Sequence, residues 1–207
     1  MSNETGEWIG LISISAKSYT CGYCGNNISS EKAFRTRIAQ HNTATRGLIY
    51  ICHTCNKPTY FTLHGVQTPG SLLGGSIDHL PEDIEQLYRE IRNATTTNSY
   101  TAAVLAGRKL LMHIAVQSGA EEGESFVTYV NYLNDNGYTP PNSQQWVDEI
   151  RQIGNEANHE IVIMTEYKAQ SIIKFLEMLM KFNYEFPGEV SAPDEAQEET
   201  PAQGQQD

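Results

Sequence analysis

The sequence predicts an α+β multidomain protein, a small β-rich zinc ribbon followed by an all-α helical bundle. Three observations lead there. All four cysteines fall at or before Cys55. The apolar pattern switches from short β-type runs to helical spacing at Pro81. The charge divides along the same line. Residues 1–75 carry six basic and three acidic side chains, residues 76–188 carry eight and 16, and residues 189–207 carry six acidic and no basic ones. Those three spans are the expected units: ribbon, bundle and acidic tail.

In the first unit, Trp8–Ser15, Gly47–Cys52 and Pro58–Val66 are rich in β-branched and aromatic residues, with turn-forming Gly22, Gly25, Asn26, Asn27, Lys57 and Pro58 between them. So short a β unit buries little core and needs a staple. Cys21-Gly-Tyr-Cys24 and Cys52-His-Thr-Cys55 supply one. A two-residue gap lets both thiolates of a pair face one ion from a tight turn, and two such turns complete a closed tetrahedral zinc site. Four thiolates leave no open coordination position, so this Zn²⁺ is structural. Two disulfides or a redox pair are the alternatives; a cytoplasmic chain disfavours the first, and redox chemistry needs only one such pair. His41, His53 and His64 fall outside the ligand set.

Residues 68–79 read as a linker, being rich in glycine and proline. Helical spacing then sets in with Ile84, Leu87, Tyr88 and Ile91, and Pro81 suits a first helical turn. A second helix is expected over Tyr100–Gln117, stopped by Gly119. A third covers Gly123–Asn134. A fourth starts near Ser143 and carries Trp146, Val147, Ile150 and Ile153. A fifth runs from Thr165 to Phe182. Five helices on short connections make a bundle. The final segment, rich in Pro, Glu and Gln, cannot bury enough surface to order itself, so it reads as a disordered tail.

The chain has 207 residues and a net charge of −11. No run reaches the roughly 18 apolar residues of a membrane helix, and the start carries no secretory pattern. The expectation is a cytoplasmic protein with no membrane contact. A negative overall charge argues against a uniformly basic nucleic-acid binder. The basic excess on the ribbon, with Arg35, Arg37 and Arg46 near Tyr50, Tyr60 and Phe61, nevertheless suits a nucleic-acid backbone with stacked bases. A solvated surface or a protein-binding ribbon fits the same residues.

The segment WVDEIRQIGNEANHE (Trp146–Glu160) places Arg151, Asn155 and His159 at i, i+4, i+8, one polar stripe on a helix. Arg and His on one face suit phosphodiester chemistry, with Arg holding the phosphate and His moving a proton. Packing roles are open beside this. Arg151 could pair with Asp148 or Glu166, Asn155 could cap a helix broken after Gly154, and His159 could favour a helix end.

The run His79–Phe186 resembles the domain-of-unknown-function family numbered 4145. The likeness lies in HLPEDIEQLYREI (His79–Ile91), SYTAAVLAGRKLLMHIA (Ser99–Ala115) and WVDEIRQIGNEANH (Trp146–His159), the last through its IR-x-x-GN-x-x-x-H pattern. That family is grouped with the HEPN superfamily of helical bundles, many of them dimeric ribonucleases of defence systems that need no metal. The resemblance implies a HEPN-like bundle and a homodimer, with Arg151 and His159 at the nuclease positions and Asn155 the polar residue between them. Seven residues separate Arg151 from His159 here, wider than the nuclease pattern. Arg108 and Lys109 could share a groove with Arg151.

Taken together, the sequence predicts a nucleic-acid-associated binding or sensing module, in a setting such as prokaryotic defence, with RNA or a protein as partner. The alternatives are a metal-independent endoribonuclease using Arg151, Asn155 and His159, and a purely structural interaction module.

Overall fold

The computed structural model describes residues 9–38, 41–159 and 162–191, and their side chains except those of 37–38, 41–46, 156–159 and 191. The first part is an antiparallel meander of β1 (Ile12–Thr20), β2 (Asn27–Ile38), β3 (His41–Ile51), β4 (Pro58–Thr62) and β5 (Gln67–Thr68), adjacent in chain order. Two sequence expectations change here. The first β run begins later than Trp8, which lies outside the described residues. The longest strand, β2, has no apolar alternation to announce it. Its sequence NISSEKAFRTRI is mostly polar, and it is a strand because β1 and β3 pair along both of its edges.

The sheet buries one small cluster: Tyr19, Ile28, Ala33, Tyr50 and Phe61, with Cys21 and Cys52. The rings of Tyr19 and Tyr50 meet Phe61 edge-on, with centroids 5.1 and 5.8 Å away. This favours tilted aromatic packing over a stacked sandwich.

Between the sheet and the helices, residues 69–81 form neither helix nor strand, as a linker should, yet they are docked. Leu72 and Ile77 are buried. Arg92, from the first helix, donates from Nε to the Leu73 carbonyl (3.0 Å) and from Nη2 to the Gly74 carbonyl (2.8 Å). The Gly70 N–H donates to the Thr96 carbonyl at 2.7 Å. The segment is a strap laid along α1, its carbonyls held by a cation.

The helical part comprises α1 (Glu82–Thr96), α2 (Tyr100–Gln117), α3 (Phe126–Asp135), α4 (Gln144–His159) and α5 (Glu166–Met180). All five expected helices are present. Pro81 sits at the cap of α1, one place before the first turn, and Gly119, at φ +103°, ends α2 as expected. Ser125 and Thr165 cap α3 and α5 by accepting the N–H of Thr128 and Lys168. Helix α2 is the central element, burying Ala103, Val104, Gly107, Leu110, Leu111, Ile114 and Ala115 and packing on α1, α3, α4 and α5. An amphipathic helix buries one stripe; α2 buries most of its circumference because it has neighbours on most sides.

After Met180 the chain widens into a π turn, Lys181–Glu185, and resumes as α6 (Phe186–Ser191). The Asn183 amide donates to the Leu179 carbonyl (2.6 Å) and the Tyr138 carbonyl (3.0 Å), meeting groups the widened turn leaves over. The acidic segment expected as a tail is therefore helical through Ser191. Residues 192–207 lie outside the described set. Among the described residues, no helix is long and apolar enough to cross a membrane.

Gly154 does not break the fourth helix, contrary to expectation. Helix α4 is continuous across it, and Gly154 is buried against the ring of Phe126. A Cβ there would lie 2.0 Å from Phe126 Cε1. The glycine allows close approach of α3 and α4, and its helix-weakening effect is outweighed by packing. Gly154→Ala should cost about 2 kcal/mol or more by overpacking, read as a lower urea midpoint with unchanged slope; an unaltered midpoint would contradict the close contact.

Candidate metal centre and the polar stripe of α4

Each cysteine pair lies on a tight turn at the end of a strand. In the first, the Cys21 N–H donates to the Asn26 carbonyl (3.0 Å) and the Gly25 N–H to the Cys21 carbonyl (2.9 Å); in the second, Cys52 and Lys57, and Asn56 and Cys52, repeat this at 3.0 and 2.8 Å. The left-handed positions that close the turns are Gly25 (φ +73°) and Asn56 (φ +57°), the residue types that tolerate them.

The two turns face one another. Cys21 Sγ lies 3.7 Å from Cys55 Sγ, and Cys24 Sγ lies 3.7 Å from Cys52 Sγ. All four sulfurs fall within 4.8 Å of one another. Four thiolates held about 2.3 Å from one central ion sit about 3.8 Å apart, so the arrangement fits a tetrahedral metal ion. None of the four is in a disulfide. His53 and His64 are exposed and outside the cluster, as expected, while the side chain of His41 lies outside the described set.

The thiols do not titrate alike. Burial pushes Cys21 and Cys55 up. Burial also raises Cys52, but the N–H groups of Cys55 and Thr54 and the thiols of Cys55 and Cys24 together outweigh it and bring that thiol down to about 7. Tyr23 N–H and the Asn26 amide also point at sulfur, to Cys21 (3.4 Å) and Cys24 (3.6 Å). Donors directed at sulfur favour the thiolate, the form that binds metal.

Arg151, Asn155 and His159 all lie on α4, nine residues from first to last at i, i+4, i+8 spacing. Arg151 is partly buried. Its Nη1 pairs with the Asp148 carboxylate one turn back, the first of the two packing partners considered from sequence. Its Nε is buried without a hydrogen-bond partner among the described residues. Asn155 is exposed. The side chain of His159 lies outside the described residues, so the three side chains are not placed together. Arg108 sits over the Phe126 ring that Gly154 also touches, 4.5 Å from its centroid, and its buried Nη1 also lacks a partner among the described residues. Burial lowers its pKa. Lys109 is exposed.

A family model described as "Domain of unknown function (DUF4145)" matches residues 89–198, about half the chain. The chain belongs to this family. The matched region begins inside α1 and holds α2 through α6 with the whole α4 stripe. The cysteine cluster precedes it and lies outside the DUF4145 match. No curated protein and no solved structure matches the chain. Sequence reading missed the grip of Arg92 on the strap; its only trace is an arginine facing Gly-rich chain, which carries no periodic signal.

The cluster should bind one divalent metal per chain. Cobalt(II) should produce the visible bands of a tetrahedral thiolate site, and Cys52→Ser should abolish them. Chelation should unfold the sheet while leaving the helical circular dichroism largely intact. Retention of the sheet without metal would refute the staple.

Proposed function

We propose that this protein is a zinc-stapled ribbon carried on a DUF4145 helical domain, acting as a nucleic-acid-associated binding or sensing module. The observation that supports it best is the four-sulfur cluster. It fits Zn²⁺ in a closed structural site and fixes the base of the β2–β3 hairpin. That hairpin holds Lys32, Arg35, Arg37 and Arg46 against the single carboxylate Glu31. Lys32 and Arg35 are exposed. A short cationic ribbon can follow a phosphate backbone even on an acidic protein, because salt screens charges more than about 10 Å away. The acidic helical domain serves as the platform, as a homodimer or docked on a protein partner in the cytoplasm, in the defence setting that its family likeness suggests.

A second reading keeps the α4 stripe as a ribonuclease site, favoured by the unpartnered Arg151 Nε. In it, His159 removes the proton of a ribose 2′-hydroxyl. The freed oxygen attacks the phosphorus and the 5′-oxygen leaves, giving a 2′,3′-cyclic phosphate. Arg151 stabilises the charge on the phosphorane and Asn155 orients the phosphate. Arg151 must release Asp148 to do so.

Two measurements separate these readings. The full zinc-loaded protein should bind single-stranded RNA with affinity that falls as salt rises, and the Arg35→Ala/Arg37→Ala/Arg46→Ala variant should lose about tenfold or more with a shallower salt slope. Equal binding by wild type and variant would end the ribbon reading. Incubation with labelled RNA should leave it intact under the binding reading. Under the nuclease reading it yields cyclic-phosphate ends that vanish in His159→Ala.

A further inference from the structure

A cavity of about 320 Å³ opens where the first cysteine turn meets α1 and the strap. We propose that it is a binding site for a phosphomonoester group, distinct from the hairpin and from the α4 stripe and independent of either reading of them.

The cavity wall is cationic. Arg89 and Arg92 line it, and no carboxylate does. That is a marked departure in a helix whose other charged residues are Glu82, Asp83, Glu85 and Glu90. Arg89 is exposed and makes no hydrogen bond or ion pair with the described residues. Arg92 is fixed by the Leu73 and Gly74 carbonyls through Nε and Nη2, which leaves Nη1 without an acceptor among the described residues. The Asn93 amide adds a neutral donor on the same wall.

The backbone supplies donors as well. Gly74, Gly75 and Ser76 line the cavity, and none of their three N–H groups donates to a described residue. Gly74 is in the left-handed region at φ +74°, where its Cβ would strike Tyr88 Oη at 2.6 Å. Successive free N–H groups around a left-handed glycine form the type of concavity that cradles phosphate oxygens. Backbone donors backed by guanidinium groups recognise phosphate more strongly than either alone. On the opposite wall Tyr23 is 47% exposed, a ring free to cover a base or sugar, with Lys57 Nζ 5.7 Å from its centroid.

Two opposing charges are close. A metal-loaded cluster of four thiolates carries two negative charges, and Cys24 borders the cavity. The Glu177 carboxylate lies beside Gly75 but is outside the lining and paired with Lys181 at 3.4 Å. The two lining arginines, Arg89 and Arg92, balance the cluster's two charges, and Lys57, on the far side of the lining beside Tyr23, adds a third positive charge nearby. The size is at the lower end for small-ligand sites, enough for a mononucleotide-sized ester or the phosphorylated end of a strand.

The test is calorimetric titration of the full, metal-loaded protein with inorganic phosphate, AMP, adenosine and one oligonucleotide with a 5′-phosphate or a 5′-hydroxyl. Saturable binding of AMP without adenosine, weakened about tenfold in both Arg89→Ala and Asn93→Ala, supports a small phosphomonoester. A preference of about tenfold for the 5′-phosphate oligonucleotide, lost in Arg89→Ala, supports a strand end even if AMP fails to bind. Arg89 is exposed and unpaired, so its variant should keep the parent metal content and melting temperature. Absence of saturable binding to every phosphorylated probe at millimolar concentration overturns the proposal, as does undiminished binding in a folded Arg89→Ala.

Discussion

The convergence of four sulfurs governs the amino-terminal half. The sheet's buried cluster has only a few large side chains, and a core that small cannot offset the entropy of ordering five strands. What it lacks in buried area it gains in a constraint. Two turns distant in sequence are brought to one point, and the strands leaving them, β1 and β2 from one and β3 and β4 from the other, inherit their positions from it. A metal held there would make binding and folding one equilibrium, since the unfolded chain offers no preformed site.

The helical half rests on a different economy. It buries a continuous apolar core around α2, with Ile84, Ile91, Leu133, Ile150, Phe175 and Leu176 closed off from solvent. Close approach matters there more than polar pairing. Gly154 and Phe126 bring α4 against α3, and Arg108 lies over the same ring. The helix carrying Arg151 is thus positioned in part by a glycine seated on an aromatic ring. The strap joins the halves, and Arg92 ties it to α1 through main-chain oxygens instead of apolar burial.

The helices were legible because each repeats its apolar residues at helical spacing, helped where a recognisable residue bounds them, as Thr165 does at the start of α5 and Gly119 at the end of α2. The four-sulfur cluster was legible because cysteine is a rare residue type and here recurs at a fixed interval. Strand β2 was not, because its stability comes from neighbours supplied elsewhere in the chain. Gly154 misled, because a glycine in an apparent helix reads as a break until the ring facing it is known. The cavity at the strap was invisible for a related reason: main-chain N–H groups leave no mark in a sequence. The Arg151–Asp148 pair lay among the local possibilities, since residues three apart on a helix meet.

The π turn at Lys181–Glu185 acts as a phase adjuster. One residue added to a turn rotates everything after it by about 100° relative to a regular helix. The core-facing line of α5, through Leu176 and Met180, would otherwise continue onto Asn183 and Pro187. With the added residue it continues onto Tyr184, which packs on the core, and Gly188, which seats on the ring of His79. The same rotation turns Phe182, Phe186 and Val190 outward. A single inserted residue thereby decides which edge of the last helix is glued to the body and which is left greasy and facing water, a choice that composition alone would have made the other way.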